Sequence, residues 1–373
     1  MTSSWAGVRR LLCVRLDSLG DVLMTTPALR ALKQSLPGVH LTLWTSRAGA
    51  RAAKLVSEVD DVLVFDAPWM KVVAAEAGAA ACGEMIGRLV AGRFDGAVIF
   101  TVFSQNPLPA AVYCHLAGIP RRLAYCRENP YGLLTGWERE PDNRESLRHE
   151  VRRQLDLVRT IGAVTSDERL SVRVAEEDRR TVSAILAEAK LAERPHWAVV
   201  HPGASAPSRR YSAAAFSEVI RRLQTRHEWR VILTGSDEER PLIDEIRNAA
   251  GISALSLAGR LSIGQLAALI ERAPLLISNN TGPVHIAAGL GTPIVDLYAQ
   301  TNMQHTPWQV DHRILSYDVP CKMCLKSICP EQHHDCLARV DPQTVVAAAL
   351  ELMAERESSP AAYPLSNAAR LSA

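Results

Sequence analysis

Short apolar runs alternate with amphipathic stretches along most of the chain. Residues 9–16 (RRLLCVRL) form the kind of run that a strand buried on both faces requires. The run breaks at Asp17-Ser18-Leu19-Gly20-Asp21, and a helical pattern follows from 22 to 34, stopping near Pro37-Gly38. The spacing then predicts a strand over 40–45, a helix over 47–56, a strand over 62–65, a helix over 76–90, a strand over 96–100 and a helix over 109–116. Residues 119–143, with Pro, Gly, Tyr131 and Trp137, read as loop, and Arg148-His149-Glu150 opens an amphipathic helix through Leu155, Val158 and Ile161.

The plan then repeats. A polar segment, 165–194, holds a helix over 176–191 and reads as a connector. Strands are predicted over 196–200, 229–234, 255–257, 275–277 and 294–298, with helices over 213–226, after Glu239, over 263–271 and from Pro283 onward. Strands alternating with helices predict parallel, doubly wound sheets, so the expected fold class is α/β, with two Rossmann-like βαβ domains facing across a cleft. The expected boundaries are 1–175, 176–345, and a closing piece, 346–373. That piece joins a helix, its pattern spanning 342–355, to a frayed tail from 358.

A length of 373 residues agrees with two domains, and 47% apolar with 22% charged residues is ordinary globular material. A net charge of +2 gives no general attraction to nucleic acid, so no nucleic-acid partner is expected and any anion recognition is local. The start lacks a long apolar segment with a small-residue cleavage site, and no run approaches the roughly 18 apolar residues of a membrane span. A soluble, cytoplasmic protein is expected, with contact at the inner face of the cytoplasmic membrane left open.

Several strand ends carry chemistry. Residues 275–293 (LLISNNTGPVHIAAGLGTP) deliver a strand end to a small-residue loop and a helix N-terminus, an anion site in outline. Asn279, Asn280 and Thr281 read there either as caps or as ligand contacts, and His285 either packs on the sheet or faces a phosphate. The first strand–loop–helix lacks G-x-G-x-x-G; its Asp21 is either the helix cap or a general base held at the sheet edge. The loop after residue 200 offers backbone N–H groups and Arg209, and the Gly235–Glu239 loop offers Asp237 and Glu238 to ribose hydroxyls. Together they describe a nucleotide-diphosphate site. Arg121, Arg122 and His149 read as solvated loop and helix cap, or as contacts to an acceptor.

Four ordered motifs carry a resemblance. LDSLGD (16–21), HPGAS…RRY (201–211), LAGRLS (257–262) and NNTGPVHIAAGLGTP (279–293) resemble the heptosyltransferases of glycosyltransferase family 9, over roughly residues 9–352. The resemblance implies a GT-B architecture, in which the 342–355 helix crosses back to the first domain, and inverting, metal-independent transfer of heptose from ADP-L-glycero-D-manno-heptose. The acceptor it implies is a lipid-linked saccharide, the lipopolysaccharide inner core; related enzymes modify proteins or other glycans. By position it makes Asp21 the catalytic base and Arg209 the cation on the diphosphate leaving group. Ala204 and Ser205 become phosphate contacts, Asp237 the ribose acid, and Leu261 the residue packing the adenine. Asn280, Thr281, Gly282 and His285 become the diphosphate-sugar loop; Ser18 and Gly20, in the first strand-end loop, are candidate acceptor contacts. The family commonly has aspartate where this chain has Asn280; the amide keeps the shape and loses the charge. A non-catalytic nucleotide-sugar-binding module on the same fold is the competing reading.

Cys321-x2-Cys324-x4-Cys329-x6-Cys336, with His333 and His334 nearby, is compact enough to ligate one structural zinc or iron, though the spacing is not that of a standard zinc finger. Reduced thiols in a Pro-rich loop, or a redox-labile pair, are the alternatives. No cofactor is expected for catalysis itself.

Overall fold

A computed structural model describes residues 5–70, 78–140, 148–191, 194, 196–251 and 254–358. The chain divides into two compact units, Met1–Arg173 and Val174–Ala373. The first unit contains β1 (Arg10–Arg15), α1 (Leu19–Ser35), β2 (His40–Thr45), α2 (Arg47–Ala53), β3 (Asp61–Val64), α3 (Ala79–Gly92), β4 (Gly96–Ile99), α4 (Leu108–Leu116), β5 (Arg122–Cys126), β6 (Gly136–Arg139) and α5 (Glu150–Arg159). Its strands form one six-stranded sheet in the order β3-β2-β1-β4-β5-β6, and every pairing is parallel.

The second unit contains α6 (Glu176–Glu188), β7 (Trp197–His201), α7 (Ala213–His227), β8 (Arg230–Leu233), α8 (Arg240–Ala250), β9 (Leu255–Ser256), α9 (Ile263–Arg272), β10 (Leu276–Asn279), α10 (Gly282–Leu290), β11 (Ile294–Leu297), β12 (His312–Leu315), α11 (Asp335–Ala338) and α12 (Pro342–Ser358). Its sheet runs β12-β11-β10-β7-β8-β9, again all parallel. Counted within each unit, both sheets have the order 3-2-1-4-5-6. The direction of winding reverses between β1 and β4 and between β7 and β10. At such a reversal the loops leave on opposite faces, and the strand C-termini between them are open to a ligand.

The central strands are apolar because helices cover both faces. Leu11 to Val14 and Ala198 to Val200 are fully buried or nearly so. The second core packs Phe216, Val219, Ile220 and Leu223 of α7 against Val345, Val346, Ala349 and Leu352 of α12. One expectation narrows: the 342–358 helix belongs to the core of the second unit. The tail beyond it lies outside the described residues.

Three further expectations change. The 165–194 stretch is no free connector. Arg30 of α1 donates to the carbonyls of Asp167 (2.8 Å) and Arg169 (2.7 Å), while Arg179 of α6 forks onto Glu271 of α9 at 2.7 and 2.8 Å. The stretch read as loop contains β5 and β6. The β5 strand is buried throughout, and β6 alternates half-buried and exposed positions as an edge strand does. The first helix begins at Leu19 with Ser18 as its N-cap, so Asp21 sits three residues into the motif and is not the cap.

Candidate active site

In the first unit the winding reversal is occupied by charge. Arg15, the last residue of β1, has no exposure, and its guanidinium lies 3.1 Å from Asp17, 3.3 Å from Asp21 and 2.9 Å from Glu150. Arg153, one turn along α5 from Glu150, forks onto Glu140 at 2.6 and 2.7 Å and donates to the carbonyl of Thr101. Two guanidinium groups thus stand among four carboxylates, an excess of negative charge that protons relieve. Burial pushes the Asp17 carboxyl up to about 7; Arg15 opposes the shift, while Asp21 and Glu150 add to it. Burial alone would lower the Arg15 pKa, but the charges of Asp17, Glu150 and Asp21 outweigh it and raise it.

Asp21 is held more firmly than a simple cap would need. Its Oδ2 accepts from the Ser18 N–H at 3.1 Å and the Ser18 hydroxyl at 2.6 Å, and its Oδ1 accepts from Arg15. Its side chain is 13% exposed, against 7% for Asp17, 9% for Glu140 and none for Glu150. It is therefore the carboxylate of the four that an incoming molecule reaches most readily. Gly20, buried behind it, completes the first turn.

The other expected acceptor contacts do not join this group. Arg122 begins β5, at the N-terminal edge of the sheet. Its guanidinium donates to the carbonyls of Leu133 (2.6 Å), Gly132 (2.9 Å) and Ile119, so it straps the 119–133 loop. Arg121 reaches the carbonyl of Asp95, just before β4, on the same edge. Both lie at the opposite sheet edge from the strand end that leads to Asp21. His149 is the N-cap of α5, where its Nδ1 accepts from the Val151 N–H at 3.2 Å, which is the capping reading.

In the second unit the loops after β7, β8 and β10 meet. Asn279, with no exposure, joins the first and last. Its Nδ2 donates to the carbonyl of Pro202 at 2.7 Å, and its Oδ1 accepts from the Tyr211 N–H at 3.0 Å. One amide therefore clamps both ends of the loop that carries Ala204, Ser205 and Arg209. Ala204 is buried and Ser205 is exposed. Arg209 is half-buried at the end of the 3-10 turn Pro207–Arg209; its N–H donates to the Ala206 carbonyl at 2.9 Å, and its guanidinium makes no hydrogen bond or ion pair among the described residues. Its charge is close enough to bear on Tyr298, just after β11.

Thr281 is the N-cap of α10, yet its hydroxyl makes no cap bond and is buried without a hydrogen-bond partner among the described residues. A helix N-terminus, an orphan hydroxyl and an unneutralised guanidinium together suit a bound anion. Gly282 opens α10, and His285 lies in its first turn, buried. Asn280 is also buried; its Nδ2 donates to Asp296 at 2.9 Å and to the carbonyl of His305 at 3.0 Å. Burial keeps the His201 imidazole, 3.1 Å from the Thr234 hydroxyl, below its ordinary pKa.

The middle loop is arranged differently from expectation. Asp237 is 75% exposed and pairs with Arg240, and a side chain at Gly259 would strike that pair. Glu239 is the carboxylate that turns inward. It accepts from the Ser236 N–H at 2.8 Å and fills the space beside Gly203 and Gly235, where a Cβ at Gly203 would collide with it. Sequence reasoning missed Glu239 because three acidic residues in a row give no phase. Leu261 is half-buried just before Ser262, the N-cap of α9.

The model of glycosyltransferase family 9 (heptosyltransferase) matches residues 86–334, which take in all three of these loops. The chain belongs to glycosyltransferase family 9. It is 28% identical over 159 residues to lipooligosaccharide heptosyltransferase 2 of Campylobacter jejuni, covering 41% of this chain and 50% of that protein. The chain thus spans about half the length of that curated relative. Two solved structures share its fold. A family 9 glycosyltransferase from Veillonella parvula matches with TM-score 0.76 and 21% identity over 95% of this chain and 99% of the other. The E. coli ADP-heptose lps heptosyltransferase II matches with TM-score 0.72 and 21% identity over 93% and 99%. Two doubly wound units in tandem are the GT-B architecture expected of family 9. Among the described residues no helix is long and apolar enough to cross a membrane.

Proposed function

We propose that the chain is an inverting glycosyltransferase that moves heptose from ADP-L-glycero-D-manno-heptose to a saccharide acceptor, the lipid-linked inner core of lipopolysaccharide. The reading rests on family membership, on the names of the relatives, and above all on Arg209. A guanidinium with no hydrogen bond or ion pair among the described residues, on a loop that the buried Asn279 amide ties to the strand leading to the orphan Thr281 hydroxyl, suits a diphosphate.

In this scheme the second unit binds the donor. The α10 N-terminus, Thr281, Gly282, Ala204 and Ser205 take the diphosphate, with His285 in the same turn. Glu239 serves the ribose hydroxyls better than Asp237, because its carboxylate already points toward the HPG loop. The first unit activates the acceptor. Asp21 accepts the proton of the acceptor hydroxyl as that oxygen attacks the anomeric carbon from the face opposite the diphosphate. The bond from that carbon to the diphosphate oxygen breaks, and ADP leaves with its growing charge met by Arg209. No step uses a metal ion. Asp17, with its pKa near 7, is the second candidate for the base.

Calorimetry with ADP-heptose against UDP- and GDP-sugars tests the donor. Tightest binding to ADP-heptose, followed by transfer to a heptose-deficient lipopolysaccharide core, is the expected result. Donor binding without turnover on lipopolysaccharide, other glycans or protein would instead favour a non-catalytic binding module.

A further inference from the structure

The thiols of Cys321, Cys324, Cys329 and Cys336 line one pocket with His333 and His334, but among the described residues no three ligand side chains converge there. The buried charges of the first unit are drawn together more tightly. We propose that Arg15 and Glu150 are positioning residues for the transfer: Glu150 fixes the Arg15 guanidinium, and Arg15 holds the Asp21 carboxylate oriented and charged. The inference rests on the reading of Asp21 as the base. Arg15 ends β1 and Glu150 opens α5, and neither has any exposure. A buried ion pair commonly stabilises a fold no better than well-packed apolar side chains of the same volume, so stability alone does not account for this one.

Each corner of the Arg15 guanidinium meets a different carboxyl group. Its Nη2 donates to Asp21 Oδ1 at 3.3 Å, its Nη1 lies 2.9 Å from Glu150 Oε1, and its Nε lies 3.1 Å from Asp17 Oδ2. The guanidinium is planar and rigid, so fixing two corners fixes the direction of the third. The segment after β4 anchors both of the other corners. Gln154, one turn along α5, donates to Glu150 at 2.6 Å and to the carbonyl of Thr101 at 3.0 Å. Gln105 donates to Asp17 and accepts from the Val102 N–H at 3.2 Å. The Asp21 carboxylate is thereby held between Arg15 on one oxygen and Ser18 on the other.

Charge follows the same frame. Arg15 is faced by Asp17 from the loop after β1, by Asp21 from α1 and by Glu150 from α5. Arg153, 3.9 Å from Glu150, is held in turn by Glu140 after β6. A cation at 3.3 Å favours the charged form of Asp21, whereas the carboxylates of Glu150 and Asp17 disfavour it. The two members of the pair therefore act on Asp21 with opposite sign. Removing the Arg15 charge makes Asp21 harder to ionise, and removing the Glu150 charge makes it easier. A pair that served packing alone would show no such opposition.

The test uses the full chain with carbon-13 at the aspartate carboxyl carbons, the Asp21 resonance being assigned by its loss in Asp21→Asn. In Arg15→Gln that resonance should titrate about 1–3 pH units higher than in the parent, and in Glu150→Gln lower. An Asp21 titration unmoved in a folded Arg15→Gln overturns the proposal. Should that variant fail to fold, the nearly isosteric Glu150→Gln decides, and a midpoint equal to or above the parent's overturns it. Glu58→Gln, which breaks the pair with Arg30 (3.1 Å) farther along α1, should leave the Asp21 titration in place; an equal shift there would refute a local coupling. Kinetics with ADP-heptose and a heptose-deficient core read the orientation. Arg15→Lys keeps the charge but cannot span three carboxyl groups. Its kcat should fall roughly 10–10²-fold, with the acid limb of the pH profile near the parent's and the donor KM little changed. Parental kcat in Arg15→Lys overturns the orienting role. The titration needs no substrate, so it stands apart from the transferase reading: parental turnover in Asp21→Asn would sink Asp21 as the base whatever the titration shows.

Discussion

The side-chain amide of Asn280 donates to the fully buried carboxyl of Asp296, 2.9 Å away. Its second hydrogen goes to the carbonyl of His305, so the Asn280 oxygen is left able only to accept. That is the hydrogen-bonding face a carboxylate would present there. The carboxyl itself sits one strand over, at the end of β11.

Burial raises the Asp296 pKa to about 7, with Asn280 opposing the shift. Folded protein therefore keeps a proton that the unfolded chain releases between about pH 4 and 7. This group's contribution to stability is complete below the ordinary carboxylate pKa and falls as pH rises through that window. Asp296→Asn still accepts from Asn280 and cannot ionise. The melting temperature of the variant relative to the parent should climb between pH 5 and pH 8, by about 2–4 °C for each kcal/mol. A flat difference across that range would refute the ionisation.

Exchange at Asn280 gives the complementary case. Asn280→Asp sets two carboxyl groups within hydrogen-bonding distance, where they must share a proton. Thermal melts should show little loss at pH 5 and a marked loss at pH 8, the opposite slope from Asp296→Asn.

Two carboxylates compete for the role of base, and paired variants separate them. Asp21→Asn should lower turnover by roughly 10²–10⁴-fold while ADP-heptose binding, measured by calorimetry, stays within about two-fold. Asp17→Asn should cost far less. The reverse ranking would move the base to Asp17, whose pKa near 7 suits proton transfer.

Arg209→Ala should lower kcat by roughly 10²-fold or more, with a smaller rise in the donor KM, because leaving-group charge is greatest in the transition state. Arg209→Lys should recover part of the rate. Equal losses in kcat/KM and in donor affinity would mean that the guanidinium binds ground state and transition state alike.

Asn279→Leu should expose the clamp. It strands the buried Pro202 carbonyl and the Tyr211 N–H, at a cost of about 1–3 kcal/mol each. Denaturant unfolding should show the loss, and ADP affinity should fall further than stability alone explains, since the Arg209 loop loses its anchor.

The central strands were legible because a parallel strand covered on both faces must be a continuous apolar run, and 10–15, 197–201 and 276–279 each contain one. The edge strands β6 and β12 were not, because one-sided or partial burial leaves no such run. The loop motifs pointed to Arg209, Thr281 and Asp21. They also singled out Arg121 and Arg122, which share the charge of a binding residue but lie at the start of β5, the opposite sheet edge from the loop that carries Asp21. They passed over Glu239, which turns inward in the loop before α8 while Asp237 stays exposed.

By itself the sequence determined the two alternating halves, the strand-end loops and the family, because periodicity and turn chemistry act between residues a few positions apart. Only the tertiary structure decided that Asn279 clamps Pro202 to Tyr211, that Asp296 stands behind Asn280, and that the last helix packs on the second core. Each of those joins positions far apart in the chain, and such meetings depend on strand order and helix phase, which no local pattern encodes.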